Sequence, residues 1–261
     1  MGRILTICNQ KGGVGKTTTA INLSAYLAKA GQRVLLIDTD PQGNATSGLG
    51  IDKTQVTQGL YQVLLGELPI TQVIVHTVVP QLQLVPSSVD LTGVEVELVN
   101  KEGREFLLRE TLQPIKDQFD FILIDSPPSL GLLTINALAA CDRVLIPVQC
   151  EFYALEGLSQ LIQTIELVKS NLNHALTIEG LVLTMADYRT NLTHEVIEEA
   201  RNFCKERIFQ SVIPRNVRLS EAPSHGKPIM LYDGHSVGAK QYEELAREVL
   251  GQMSNIVLKT N

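Results

Sequence analysis

Short apolar runs that do not alternate with polar residues do most to narrow the fold of this chain. Ile4–Cys8, Val34–Ile37, Phe119–Ile124, Val144–Val148 and Leu181–Met185 carry apolar residues at successive positions. A strand with one wet face alternates. Near-continuous apolar runs belong to strands buried on both faces, as in a parallel sheet covered by helices. Thr18–Ala30, Ala154–Leu172, Thr193–Arg207 and Val237–Met253 read as helices, the first with Gly31 just past its end. The expected fold class is α/β: a single domain over residues 1–261, with a twisted, mainly parallel sheet flanked by helices. Gln42–Val99 is the least regular stretch.

Composition removes several function classes. With 22 basic and 28 acidic side chains the formal net charge is −6, which argues against a uniformly basic nucleic-acid binder but not against a local basic patch. Trp is absent and there are 6 Phe and 6 Tyr, so stacking of bases on an aromatic platform is not expected. The cysteines Cys8, Cys141, Cys150 and Cys204 contain no Cys-x-x-Cys spacing. They read as reduced, buried thiols of a cytosolic protein rather than a zinc site or a disulfide framework. No apolar stretch reaches the roughly 18 residues of a membrane span.

The chemistry concentrates in Gln10-Lys11-Gly12-Gly13-Val14-Gly15-Lys16-Thr17-Thr18, between the first strand and the first helix. In that context a glycine-rich turn can aim successive backbone N–H groups at phosphate oxygens, and the helix N-terminus adds its positive end. Gly12, Gly13, Val14, Gly15, Lys16, Thr17 and Thr18 are the candidate cradle. Lys16 reaches the β- and γ-phosphates and the Thr17 hydroxyl ligates Mg²⁺. Gly12 is expected among the glycines that use the loop's backbone freedom. The motif departs from Gly-x-x-x-x-Gly-Lys, because Gln10 stands where the first glycine would fall and a second lysine, Lys11, follows it.

This Lys-Gly-Gly-x-Gly-Lys-Thr pattern resembles the deviant Walker A motif of the ParA/MinD ATPases, P-loop NTPases that bind ATP and Mg²⁺. The resemblance implies that Lys11 crosses a nucleotide-sandwich homodimer to the partner's phosphates, offsetting charge on the transferred phosphoryl group as an arginine finger does. Asp38-Thr39-Asp40-Pro41-Gln42-Gly43-Asn44 resembles the family's first switch, which makes Lys11, Lys16 and Asp40 the candidate catalytic residues, Asp40 orienting the attacking water. A carboxylate at a strand's C-terminal end also stands where parallel sheets bind ligands. Phe121-Ile122-Leu123-Ile124-Asp125-Ser126-Pro127-Pro128 resembles a Walker B strand that delivers Asp125 to the Mg²⁺ neighbourhood, through water. Val212-Ile213-Pro214-Arg215-Asn216 resembles the adenine-binding turn, with Pro214 and Asn216 at the matching positions.

The likeness spans the chain and is strongest to the small chromosomal ParA (Soj) proteins, through Gln149-Cys150-Glu151, Leu155-Glu156-Gly157-Leu158 and Pro214–Pro228. It implies a cytoplasmic, nucleoid-associated partitioning ATPase whose ATP-bound dimer binds DNA without sequence preference and whose weak hydrolysis is stimulated by a ParB-like partner. Arg189 and Arg218 match the DNA-facing arginines of the subgroup, and Arg215, Lys205 and Arg207 lie nearby in sequence. A loop starting at residue 11 leaves no room ahead of it for an operator-reading domain. The alternative of a MinD-like membrane switch needs a basic amphipathic tail, and Gly251–Asn261 has one lysine. An iron–sulfur reductase would need cysteines at a dimer axis, and a tyrosine kinase of the superfamily a terminal tyrosine cluster.

Overall fold

A computed structural model describes residues 2–151, 154–204 and 208–257. The apolar runs form the middle of a sheet of eight strands: β1 (Arg3–Ile7), β2 (Val34–Asp38), β3 (Val75–His76), β4 (Leu82–Val85), β5 (Phe121–Asp125), β6 (Arg143–Gln149), β7 (Thr177–Ala186) and β8 (Ile208–Pro214). The order across the sheet is β3-β4-β2-β5-β1-β6-β7-β8. Every neighbouring pair is parallel except β3 with β4. Central β1 has β5 on one side and β6 on the other. The chain therefore reverses its direction of travel across the sheet there, leaving a crevice above the strand C-termini.

Successive residues of each buried strand enter opposite layers. Ile4, Ile37, Ile124 and Ile146 pack with Leu133, Leu138 and Leu161 of the Leu132–Ala140 and Ala154–Asn171 helices. Leu5, Ile7, Leu36 and Leu123 pack on the other face with Ala20, Leu23 and Leu27 of α1 (Lys16–Lys29) and with Tyr242, Leu245 and Val249 of the Val237–Val257 helix. Each such Leu or Ile contributes about 1.5–3 kcal/mol by leaving water, an upper value because the unfolded chain already hides part of it. Among the described residues no helix is long and apolar enough to cross a membrane.

The structure corrects several expectations. The first helix starts at Lys16 rather than Thr18, and β7 starts four residues before Leu181. The Leu132–Ala140 helix, β3, β4 and β8 carry no usable period in the sequence. In that helix seven of its nine residues are buried, so it shows no polar stripe. The helix expected over Thr193–Arg207 starts at Asn191 and is described as far as Cys204; Lys205 and Arg207 lie outside the described residues, as do residues 258–261 of the tail. Cys8, Cys141 and Cys150 are buried free thiols, and burial pushes Cys8 and Cys150 up to about 11. The side chain of Cys204 is outside the described residues.

Candidate active site

The loop after β1 crosses the crevice and ends at Gly15, the N-cap of α1. Gly13 and Gly15 have φ of +75° and +87°, the left-handed region that a side chain resists. Gly12 does not share it: its φ is not positive, and a Cβ there would meet nothing within 4 Å. The loop is pinned from outside. Asn9 Nδ2 donates to the Pro147 carbonyl at 2.7 Å, the Lys11 N–H donates to Asn9 Oδ1 at 3.0 Å, and Thr184 Oγ1 donates to the Val14 carbonyl at 2.9 Å.

The two lysines separate. Lys16 is buried, and its Nζ donates to the Lys11 carbonyl at 3.0 Å. Burial lowers its pKa, opposed by the charges of Asp125, Cys8 and Asp40. An ammonium held this way, short of partners in a dry place, is a ready ligand for phosphate oxygens. Lys11 is exposed, and its Nζ lies 2.9 Å from Glu151 Oε2, which shares its carboxylate with Gln149 Nε2.

Two cavities meet over the loop. One, of about 400 Å³, is walled by Gly12, Gly13, Gly15, Lys16, Thr17, Thr18 and Asp40. The other, of about 440 Å³, is walled by apolar Ile213, Pro214, Leu219, Pro223 and Tyr242, with Asn216 at its side. Gly15, Thr18 and Met185 belong to both walls. The sequence-predicted Pro214 and Asn216 are thus brought to the loop from the far edge of the sheet. Asn216 Oδ1 is engaged as the cap of the Val217–Glu221 helix, accepting the Arg218 N–H at 2.8 Å.

Beneath the loop, the register of β2 and β5 sets Asp38 beside Asp125. Both are fully buried. Neither oxygen of Asp125 closes a hydrogen bond. Burial first, then the Asp38 charge, raises its pKa well above the carboxylate range, while the Thr17 hydroxyl and Lys16 favour the charged form. Asp38 is raised to about 6 by burial, restrained by donors from Thr46 and Asp40. Asp40 lines the cavity, with Oδ1 accepting the Gln42 N–H at 2.9 Å. An orphaned carboxylate under the Thr17 hydroxyl fits a hard divalent cation, which takes oxygen ligands and retains waters. Among the described residues no cluster of three His, Cys, Asp or Glu side chains is arranged as a self-sufficient metal site, so such a cation would draw ligands from Thr17, water and a bound phosphate.

Arg189 and Arg218 stand apart from the cleft, after the C-terminal ends of β7 and β8. Arg189 is 85% exposed and paired to Asp187 through Nε at 2.8 Å and Nη2 at 2.6 Å. Arg218 reaches Glu221 at 2.9 Å and Asp233 at 3.5 Å. Both pairings were invisible in the sequence, as was Met185. A residue two strands away from the loop has no local signature of its place in the wall. Tyr242 could have been found only by knowing that the last helix packs on α1, where its hydroxyl lies 3.1 Å from Thr19 Oγ1.

A parallel sheet whose first strand runs through a glycine-rich turn into a buried lysine at the helix start, with a threonine next to it and an acid at the neighbouring strand end, defines the P-loop class of nucleotide-binding proteins. Residues 2–178 match the family model described as AAA domain. The chain is 58% identical over 250 residues to the chromosome partitioning protein ParA of Myxococcus xanthus, covering 96% of this chain and 88% of that one. It is 57% identical to the sporulation initiation inhibitor protein Soj of Bacillus subtilis, covering 95% and 98%. Its fold superposes with a TM-score of 0.86 on the crystal structure of cobyrinic acid a,c-diamide synthase from Mycobacterium smegmatis with bound ADP and magnesium, at 35% identity and covering 97% and 96% of the two chains. This chain belongs to the ParA/MinD family of ATPases, in its ParA/Soj branch.

Proposed function

We propose that this chain is an ATP-driven partitioning switch: ATP and Mg²⁺ draw two copies into a sandwich dimer, the dimer holds DNA without reading its sequence, and hydrolysis stimulated by a ParB-like partner releases it. The separation of the two loop lysines carries this reading. Lys16, buried in the cleft, serves the β- and γ-phosphates of its own nucleotide. Lys11, outside both cavity walls and held at the surface by Glu151, serves the nucleotide of a second copy.

The remaining residues take roles that follow from their positions. N–H groups from Gly12 to Thr18 cradle the phosphates, and the apolar cavity beside Pro214 and Asn216 receives the adenine. Thr17, with Asp125 through water, would hold Mg²⁺, which supplies charge neutralisation at the β- and γ-oxygens. Asp40 orients a water whose oxygen bonds to the γ-phosphorus as the bond to the β–γ bridging oxygen breaks, giving ADP and phosphate. Lys11 from the other copy offsets the charge that spreads over the transferred group. Arg189 and Arg218 contact DNA phosphates, which carry no sequence information. The 1–261 chain acts as one domain in this scheme.

Light scattering of the parent, Lys16→Ala and Gly12→Val, with and without Mg·ATP, tests the reading. The parent is expected to be a monomer alone and a dimer with Mg·ATP. Lys16→Ala loses tight nucleotide binding and stays monomeric. Gly12→Val is expected to bind nucleotide yet stay monomeric, because its own chain leaves open space at that Cβ while a second loop packed against it would not. A parent that remains monomeric with bound ATP, or a Gly12→Val dimer like the parent's, contradicts it.

A further inference from the structure

We propose that Asp38, Thr46 and Ser87 form a buried clamp that positions Asp40 for hydrolysis; this rests on the role given to Asp40 above. The clamp is a closed ring of hydrogen bonds. Asp38 Oδ1 accepts the Asp40 N–H at 3.1 Å. Asp38 Oδ2 accepts both the Thr46 N–H at 2.8 Å and the Thr46 hydroxyl at 2.7 Å. With its proton committed to Asp38, Thr46 Oγ1 accepts the Ser87 N–H at 3.0 Å. Ser87 Oγ then donates to the Asp40 carbonyl at 2.8 Å. Asp40 is therefore gripped at its own N–H and its own C=O by two separate parts of the chain.

Three pieces of structure converge on this ring: the end of β2, the short Asn44–Gly48 helix and the loop after β4. Asp38, Thr46 and Ser87 are fully buried and Asp40 nearly so. Water cannot substitute for a broken link there, so the ring has few alternative arrangements. The side chain of Asp40 is also fixed locally, by the Gln42 N–H on Oδ1, while the Gly43 N–H shares its carbonyl at 2.9 Å. Backbone and carboxylate are thus set together. A simple helix cap would not require an acid here. Burying the Asp38 carboxylate beside Asp125, its partner in the β2–β5 register, is costly, and the return is a fixed Asp40. Asp38, Thr46 and Ser87 are positioning residues: none lines the cavity where the phosphates would lie.

The test measures kcat and KM for ATP by phosphate release, with thermal unfolding in parallel. The variants are Thr46→Val, Thr46→Ser, Ser87→Ala, Asp40→Ala and the double variant Thr46→Val with Asp40→Ala. Thr46→Val keeps the shape and deletes the hydroxyl that joins Asp38 to Ser87. It is expected to lower kcat about 10- to 100-fold, the scale of a displacement of about 1 Å at a reacting group, with KM within about 2-fold. Thr46→Ser restores most of the rate, and Ser87→Ala lowers kcat in the same direction. The double variant is no slower than Asp40→Ala alone, because the clamp acts only through Asp40. If Thr46→Val does not fold, Ser87→Ala decides. Parental kcat in Thr46→Val and Ser87→Ala, beside a slow Asp40→Ala, overturns the clamp and leaves Asp40 its role. So does a double variant in which the two losses multiply. Parental kcat in Asp40→Ala overturns the reading of Asp40 itself.

Discussion

Met185 sits with φ at +53°, a left-handed backbone that costs a residue with a Cβ about 1–2 kcal/mol. Its neighbours leave it no choice. The Cys150 N–H binds the Thr184 carbonyl at 3.0 Å, Thr184 Oγ1 binds Val14, and the Arg215 N–H binds the Ala186 carbonyl at 3.0 Å. The strain turns the chain where it forms the wall common to both cavities. Met185→Gly and Met185→Ala both remove the side chain, but only glycine relieves the backbone. The glycine variant is therefore expected to be more stable than the alanine variant by about 1 kcal/mol in urea unfolding, reversing their usual order. Both should weaken nucleotide binding to a similar degree by calorimetry. An alanine variant the more stable of the two would show that no strain is stored at Met185. At this scale the sequence was most informative where chemistry is local: the glycines, Lys16 and Thr17 announce a phosphate loop by type and spacing. It could not announce Met185, nor that Asp38 and Ser87 hold Asp40 at its N–H and its carbonyl, because those relations exist only once β2, β4 and β7 take their places in the sheet.

Among the elements, β8 shows why some of the fold was hidden. Its pairing with β7 skips from Leu181↔Ile208 to Leu183↔Val212, so residues 209–211 bulge and lose ladder partners. The Val237–Val257 helix supplies them. Glu248 accepts the Gln210 N–H at 2.7 Å, the Ser211 N–H at 2.8 Å and the Ser211 hydroxyl, and Gln241 Oε1 accepts the Val212 N–H at 3.2 Å. A bulged strand satisfied by a distant helix has no clean period of its own, whereas the doubly buried β1, β2, β5 and β6 are legible as continuous apolar runs. Glu248→Ala would leave strand N–H groups without acceptors, a loss of about 1–3 kcal/mol for each that stays dry. The expected outcome is a lower urea midpoint with unchanged slope, partly recovered by Glu248→Gln, which keeps an acceptor oxygen. Because β8 carries Pro214 and Asn216 to the apolar cavity, nucleotide affinity should fall together with stability. Unaltered stability in Glu248→Ala would mean that water replaces the carboxylate at the bulge.

At the scale of the whole molecule, the proposed function requires that a chain of net charge −6 hold DNA. In one copy, Arg189 and Arg218 are already neutralised by Asp187 and by Glu221 with Asp233. Exposed ion pairs of this kind contribute little and yield readily to a stronger anion, but two arginines alone would hold phosphate weakly. A dimer doubles the number of phosphates engaged and makes binding steeply salt-dependent. The measurement that tests this most directly is fluorescence anisotropy on two unrelated duplexes at several salt concentrations, with and without Mg·ATP, for the parent, Arg189→Ala and Arg218→Ala. Tight binding is predicted only with Mg·ATP, at equal affinity for both duplexes. The slope of log affinity against log salt should become shallower by roughly 2 in each variant, because each substitution removes one arginine–phosphate pair from each copy. Binding that ignores nucleotide, or a salt slope that neither substitution changes, would contradict the proposed switch.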